Sequence, residues 1–140
     1  MFTEDYILRQ ANLLVAVLAK VSGLKKAGEF QEAHKIIDQA IEDAFGLDAG
    51  IIKQLDDNGL TNLITTTTYG IDMGKLYTLA GLLEAEGDVL TSQRRKKEGQ
   101  QSYQRALNLF YEISARPDTN LDADISSKIN ELQKKLCVQD

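Results

Sequence analysis

Residues 80–113, AGLLEAEGDVLTSQRRKKEGQQSYQRALNLFYEI, carry the spacing that decides the fold expected for this chain. Within this stretch, Gly87, Gly99 and Ala106 are separated by intervals of 12 and 7 residues. The same two intervals separate an earlier set of small or apolar residues, Val21, Ala33 and Ala40. A spacing that occurs twice predicts an internal repeat made of packed helices.

A larger side chain stands at the same offset in each set, Ile37 in the first and Tyr103 in the second. The whole pattern resembles the tetratricopeptide repeat, a helix–turn–helix unit of about 34 residues. The matching units span residues 14–47 and 80–113, and residues 48–79 between them resemble a degenerate unit. The resemblance implies that the small residues let paired helices approach closely, while the larger residue fills the space between neighbouring repeats.

The first unit departs from the pattern at Val21, where glycine or alanine is usual. The whole chain also resembles an uncharacterised family of small bacterial tetratricopeptide-like proteins, a domain of unknown function. The segments that carry this likeness are 5–10 (DYILRQ), 46–48 (GLD) and 86–88 (EGD). That family offers no activity to transfer. The superfamily implies binding of a protein or peptide on the concave face formed by the first helix of each pair.

Apolar residues recur at steps of three and four along most of the chain, which predicts helices. The sequence holds one proline, 43% apolar residues and 26% charged residues, as expected of a helical globular protein. Helices are expected over about residues 5–21, 30–45, 72–95 and 99–113, with a capping helix over 122–138. We therefore predict one all-α domain over residues 1–140: antiparallel helical hairpins in a short right-handed superhelix, closed by a C-terminal capping helix.

Charge and hydropathy argue against nucleic acid and membrane as partners. The net charge is −5, and the one basic run, residues 94–97, has no interleaved aromatic residue to stack on bases. The longest apolar run, residues 13–19, is too short to span a bilayer. Glu4 and Asp5 stand where a signal peptide would carry basic residues. We expect a cytoplasmic protein.

No motif for catalysis, a metal or a cofactor is found in the sequence. Residues 70–75 (GIDMGK) have three residues between their glycines, where a phosphate loop needs four. His34 is the only histidine and Cys137 the only cysteine, so the usual zinc ligand sets are not available. His34 is expected on a solvent-facing helix surface. Residues 56–58 are interpreted as a turn with a helix cap, because no glutamate follows at calcium-loop spacing.

Four charged residues form the candidate binding site. Glu84 and Asp88 are one helical turn apart, and Lys25 and Lys26 stand near the end of the first helix. By repeat position, all four would face or border the concave side. This predicts a groove with a basic and an acidic end, which would orient an extended peptide by charge. The alternative is an ordinary solvated surface, including a solvated acidic face at Glu84 and Asp88.

The predicted function is a non-enzymatic scaffold that binds an unidentified protein or peptide. A chaperone-tail receptor is not expected, because Leu18 and Ser22 occupy places where that carboxylate clamp uses a lysine and an asparagine.

Two other functions remain open. The first helix is apolar over much of its circumference, and an exposed patch at Leu8, Leu13 or Val15 would favour a homodimer. An enzyme built around Glu84 and Asp88 would require a buried carboxyl group with a raised pKa.

Overall fold

The computed structural model describes residues 4–66, 70–71, 73–115 and 122–137. Within these residues the chain is helical apart from one short strand pair, which confirms the predicted all-α class. The helices are α1 (Glu4–Lys26), α2 (Phe30–Phe45), α3 (Ala49–Gln54), α4 (Asp57–Ile64), α5 (Met73–Ser92), α6 (Lys96–Ser114) and α7 (Asp122–Cys137). The strands β1 (Thr65–Thr66) and β2 (Gly70–Ile71) pair antiparallel between α4 and α5. Pro117, the one proline of the sequence, lies outside the described residues.

Glycine and aspartate residues lie at the boundaries of the first three helices. Gly28 and Gly46 adopt positive φ angles of 76° and 69°, a conformation that glycine reaches without steric cost. The Gly46 N–H donates to the carbonyl of Glu42 at 2.7 Å and closes α2. The Asp48 carboxylate accepts from the Gly50 N–H at 2.8 Å and caps α3.

Two long helices end at positions that differ from the prediction. Helix α1 continues past Val21 to Lys26, because Leu24 still packs against the core. Helix α5 ends at Ser92 rather than near Arg95. Its end is set by Arg94, whose φ of 65° is left-handed, and by the Arg95 N–H, which donates to the carbonyl of Leu90 at 2.9 Å.

Helix α5 lies at the centre of the fold and packs against α1, α2 and α6, while α7 packs against α6. A helix that is apolar on all sides must be buried on all sides. Helix α5 meets this condition, since its apolar residues from Leu76 to Leu90 are buried in the core. A helix, α7, lies where the capping helix was predicted; it buries Ile125 and Leu132 and exposes much of its polar side.

Helices α5 and α6 approach closely at two glycines. A Cβ atom at Gly87 would lie 3.0 Å from the Gly99 carbonyl oxygen, and one at Gly99 would lie 3.1 Å from the Gly87 carbonyl oxygen. Further along the pair, Tyr77 meets Phe110 edge-on with ring centroids 6.1 Å apart. Because residue numbers rise on one helix as they fall on the other, the two helices run antiparallel. The short distances between Gly87 and Gly99 agree with the close approach of paired helices expected at Gly99.

Partly buried charged groups connect the middle of the chain to the long helices. The Lys53 ammonium on α3 lies 2.5 Å from Asp38 and 2.6 Å from Glu86. Burial by itself lowers the pKa of Lys53, but the charges of Glu86 and Asp38 outweigh it, so the pKa is raised. Arg105 on α6 donates to the carbonyls of Lys53 and Leu55 at the end of α3.

Candidate functional site

The two predicted carboxylates meet a lysine that lies 51 and 47 residues further along the chain. The Lys135 ammonium on α7 lies 2.9 Å from Glu84 Oε2 and 3.0 Å from Asp88 Oδ1. Since one ammonium reaches both groups, Glu84 and Asp88 share a face of α5, as their spacing predicts. That face is covered by α7.

Glu84 is buried, with 5% of its surface exposed, so the interpretation as a solvated acidic face is wrong for this residue. Burial raises the pKa of Glu84 from its usual value near 4.5 to about 7. The neighbouring carboxylate of Glu131 adds to this rise, and the ammonium of Lys135 opposes it. The pKa of Glu131 is lowered, first by its hydrogen bond with Glu84 and then by nearby lysines. The two carboxyl groups therefore affect each other's titration, and the protonated form is favoured at Glu84 rather than at Glu131.

Lys135 stays charged although it is largely removed from water. Burial lowers the pKa of Lys135, but the carboxylates of Asp88 and Glu84 outweigh burial and raise it above its usual value. The ammonium also lies 5.4 Å from the centre of the Tyr103 ring, which is cation–π distance. Lys135 thus joins α7 to both α5 and α6.

Tyr103 was expected to fill space between repeats, and its ring is buried against Gly87. Its hydroxyl also has a polar role, because it donates to Asp88 Oδ1 at 2.6 Å. Burial and this hydrogen bond raise the pKa of Tyr103 to about 12. Asp88 therefore accepts from Tyr103 and Lys135 together, and its orientation is fixed from two helices.

These groups line a cavity of about 240 Å³ between α1, α5 and α7, here called the charged cavity. Its charged lining residues are Lys25, Glu84, Asp88, Lys128, Glu131 and Lys135. Lys25 is half-buried, whereas the neighbouring Lys26 is exposed. The structure differs here from the predicted groove with separate basic and acidic ends, since Lys25 and the two predicted carboxylates line one cavity. The reason is the position of α7, which brings further lysines beside the acids.

Sequence reasoning missed Lys135, Glu131 and the hydroxyl of Tyr103. One signal for burial was present, because Glu84 stands between Leu83 and Ala85 in a helix that is apolar on all sides. No local signal pointed to Lys135, because its pairing depends on how α7 docks.

Two further residues named from the sequence, His34 and Cys137, lie outside the charged cavity. His34 was expected to face solvent, but it is half-buried, and its Nε2 lies 2.6 Å from Gln93 Oε1. His34 thus connects α2 to the segment between α5 and α6. Cys137 is exposed.

The condition set for an enzyme, a buried carboxyl group with a raised pKa, is met by Glu84. Its Oε2 atom accepts a hydrogen bond from Lys135, so the burial of Glu84 has a structural explanation in the docking of α7. Within the described part of the chain, no group of three or more histidine, cysteine or acidic side chains is placed to hold a metal ion. Nor does any described helix combine the length and apolar character that crossing a bilayer requires.

Comparisons of the chain with protein-family models, with curated proteins and with solved structures found no match. The resemblance to tetratricopeptide repeats therefore stays a prediction, and a function has to be inferred from the geometry of this molecule.

Proposed function

We propose that this chain is a non-enzymatic binding module of the tetratricopeptide type, with its hairpins in a right-handed superhelix, that holds a protein or peptide segment in the cytoplasm. The observation that carries the proposal is the charged cavity, in which three of the four predicted binding residues, Lys25, Glu84 and Asp88, lie together. Lys26, the next residue along α1, is exposed and does not line the cavity.

The charged cavity has the composition that a peptide site needs. Its lining also includes the apolar side chains of Leu18, Val21 and Ala85. Apolar contacts supply affinity, while matched charges supply direction and select against wrong partners. Both signs of charge line this cavity, so we expect the partner segment to carry at least one acidic residue for Lys25, next to apolar residues.

Reversing both predicted lysines, Lys25→Glu with Lys26→Glu, should weaken binding of such a peptide about tenfold, because an attractive contact becomes repulsive. The peptide would come from a random-sequence display library selected on the wild-type chain, and its affinity would be measured by fluorescence polarisation. Circular dichroism should show unchanged helicity, since both lysines lie in the last turn of α1 and make no described ion pair.

The two single variants separate the contribution of Lys25 from that of Lys26. Lys25→Glu should account for most of the loss, because Lys25 lines the cavity and Lys26 does not. Equal affinity of the wild type and the double variant would remove both lysines from the site. Failure of the library to yield any selected peptide would count against the binding-module proposal itself.

A second candidate function is self-association through α1. Leu13 and Val15 expose 58% and 63% of their surface, although both are large apolar residues on one long helix. Residues two positions apart on a helix do not share a face, so each of these exposed apolar side chains offers a separate contact for a protein partner. The side chain of Leu8, predicted as a third member of this patch, lies outside the described residues.

Light scattering coupled to size exclusion should detect a homodimer at high protein concentration if this second function is correct. Leu13→Glu combined with Val15→Glu should then return the chain to a monomer, because a charge in an apolar contact is costly. Ile51→Glu is the matched control, since Ile51 is 53% exposed but lies on α3. A monomer at every concentration would exclude this function.

A further inference from the structure

A second cavity, of about 420 Å³, lies between α1, α2 and α5 on the side of α1 that carries Leu13. Its apolar wall is formed by Leu13, Leu14, Val17, Ala40, Ala44 and Leu82. Sites for small molecules are mostly apolar clefts of about 300–1,000 Å³ with a few placed polar groups. The second cavity has the volume and the apolar wall of such a site.

One polar group in this wall has no partner. Thr78 on α5 lines the second cavity and is 8% exposed, and its hydroxyl makes no hydrogen bond within the described part of the chain. Buried hydroxyl groups are nearly always hydrogen-bonded, because leaving one unpaired is costly. A ligand atom that bonds to this hydroxyl would remove the cost.

The charges around Thr78 indicate the sign of the ligand. Lys75 lies three residues earlier on α5, so Lys75 and Thr78 share one helix face, and both line the cavity. The Lys75 ammonium lies 5.8 Å from the centre of the Phe45 ring. An ammonium carries three N–H donors and can serve a ligand together with its contacts within the protein.

One acidic residue also lines the second cavity, and its charge should influence a ligand less. Asp43 on α2 also lines the cavity, but it is exposed and accepts a hydrogen bond from Gln39 at 2.9 Å. Lys75 is half-buried, and a charge removed from water acts more strongly than an exposed, screened one. The polar end of this cavity therefore favours an anion.

We propose that the second cavity binds a small carboxylic acid with an unbranched apolar chain. The carboxylate accepts from the Thr78 hydroxyl and the Lys75 ammonium, and the chain lies against the leucine and alanine side chains of α1 and α2. This inference does not depend on the proposed function, which uses the charged cavity with other charged residues.

The probe is octanoate, titrated into the full-length chain and followed by isothermal calorimetry and by amide chemical shifts. Saturable binding with one site is expected, with shifts concentrated on residues of α1, α2 and α5 that line the cavity. Octan-1-ol should bind more weakly because it lacks the charge, and octylamine should bind least because it repels Lys75. Octylamine binding as tightly as octanoate would overturn the proposal.

Two variants and one control test whether octanoate occupies the second cavity. Ala44→Leu fills the apolar wall and should reduce affinity more than tenfold, because overpacking leaves no room for the chain. Lys75→Met should abolish the preference for octanoate over octan-1-ol. Lys35→Met on α2 is the control, since Lys35 is exposed and outside the cavity lining, and it should bind octanoate as the wild type does. Equal binding by wild type and the Ala44→Leu variant would place the ligand elsewhere and overturn the proposal.

If Thr78 had only a structural role, Thr78→Val would change the stability of the chain but not its affinity for octanoate. The substitution keeps the shape of the side chain and removes the unpaired hydroxyl, so the melting temperature should rise by about 3 °C. Octanoate affinity should fall about fivefold, because one hydrogen bond is lost. Unchanged affinity would contradict the proposal. The proposal would also be contradicted if the chain failed to bind octanoate and instead formed a dimer that Leu13→Glu abolishes. The second cavity would then be occupied by a second copy of the chain.

Discussion

Replacing Gly87 with alanine should destabilise the protein by about 1–3 kcal/mol, although alanine is the better helix former. The added Cβ atom would lie 2.5 Å from two ring atoms of Tyr103 and 3.0 Å from the carbonyl oxygen of Gly99. The carbonyl belongs to the backbone of α6, and the ring is held by the hydrogen bond of its hydroxyl to Asp88. Neither neighbour can move without separating α5 from α6. Urea unfolding followed by circular dichroism measures the change.

The matched control is Gly23→Ala in α1. Gly23 is exposed and helical, and no atom outside its chain neighbours and its own helix backbone lies within 4 Å of the position that its Cβ would take. Alanine there should stabilise the chain by about 0.5–1 kcal/mol, because it loses less backbone freedom than glycine on folding. The same chemical change is therefore expected to act in opposite directions at two helical positions. A stabilising effect of Gly87→Ala would mean that α5 and α6 are further apart than described.

The helices could be predicted from the sequence because their causes are local. Apolar residues at steps of three and four indicated every long helix, and the turns with positive φ at positions 28 and 46 are occupied by glycine. A helix, α7, lies where the capping helix was predicted. The end of α5 was misplaced because the left-handed residue there is Arg94, a residue type that gives no such signal.

The candidate site could be predicted only in part, because its geometry depends on tertiary contacts. The spacing of Glu84 and Asp88 placed them on one face, and this is confirmed. Their surroundings could not be predicted, since nothing near Lys135 in the sequence shows that it would reach α5. Charge patterns along a chain describe solvated faces well. They fail where another helix covers the face.

Lys135→Met should destabilise the protein by about 2–3 kcal/mol at pH 8, because it removes the cation from a buried ion pair and leaves the carboxylate of Glu84 without compensation. The pair is partly open to water, with 29% of the Lys135 side chain exposed, so the effect should fall below that of a fully buried pair. Urea unfolding at pH 8 and pH 5 measures it. Lys134→Met is the control, since Lys134 is the exposed neighbour on α7 and should change stability by less than about 0.5 kcal/mol.

The effect of Lys135→Met should be smaller at pH 5, and the reason is the raised pKa of Glu84. Between its usual value near 4.5 and about 7, the folded chain holds a proton on Glu84 that the unfolded chain has released. This group therefore lowers stability as pH rises through that window, and Lys135 limits the loss by pairing with the ionised form. At pH 5 Glu84 is largely neutral in the folded state, so removing Lys135 costs mainly the contact with Asp88. Equal destabilisation at the two pH values would mean that Glu84 titrates normally and that the helix α7 does not bury it.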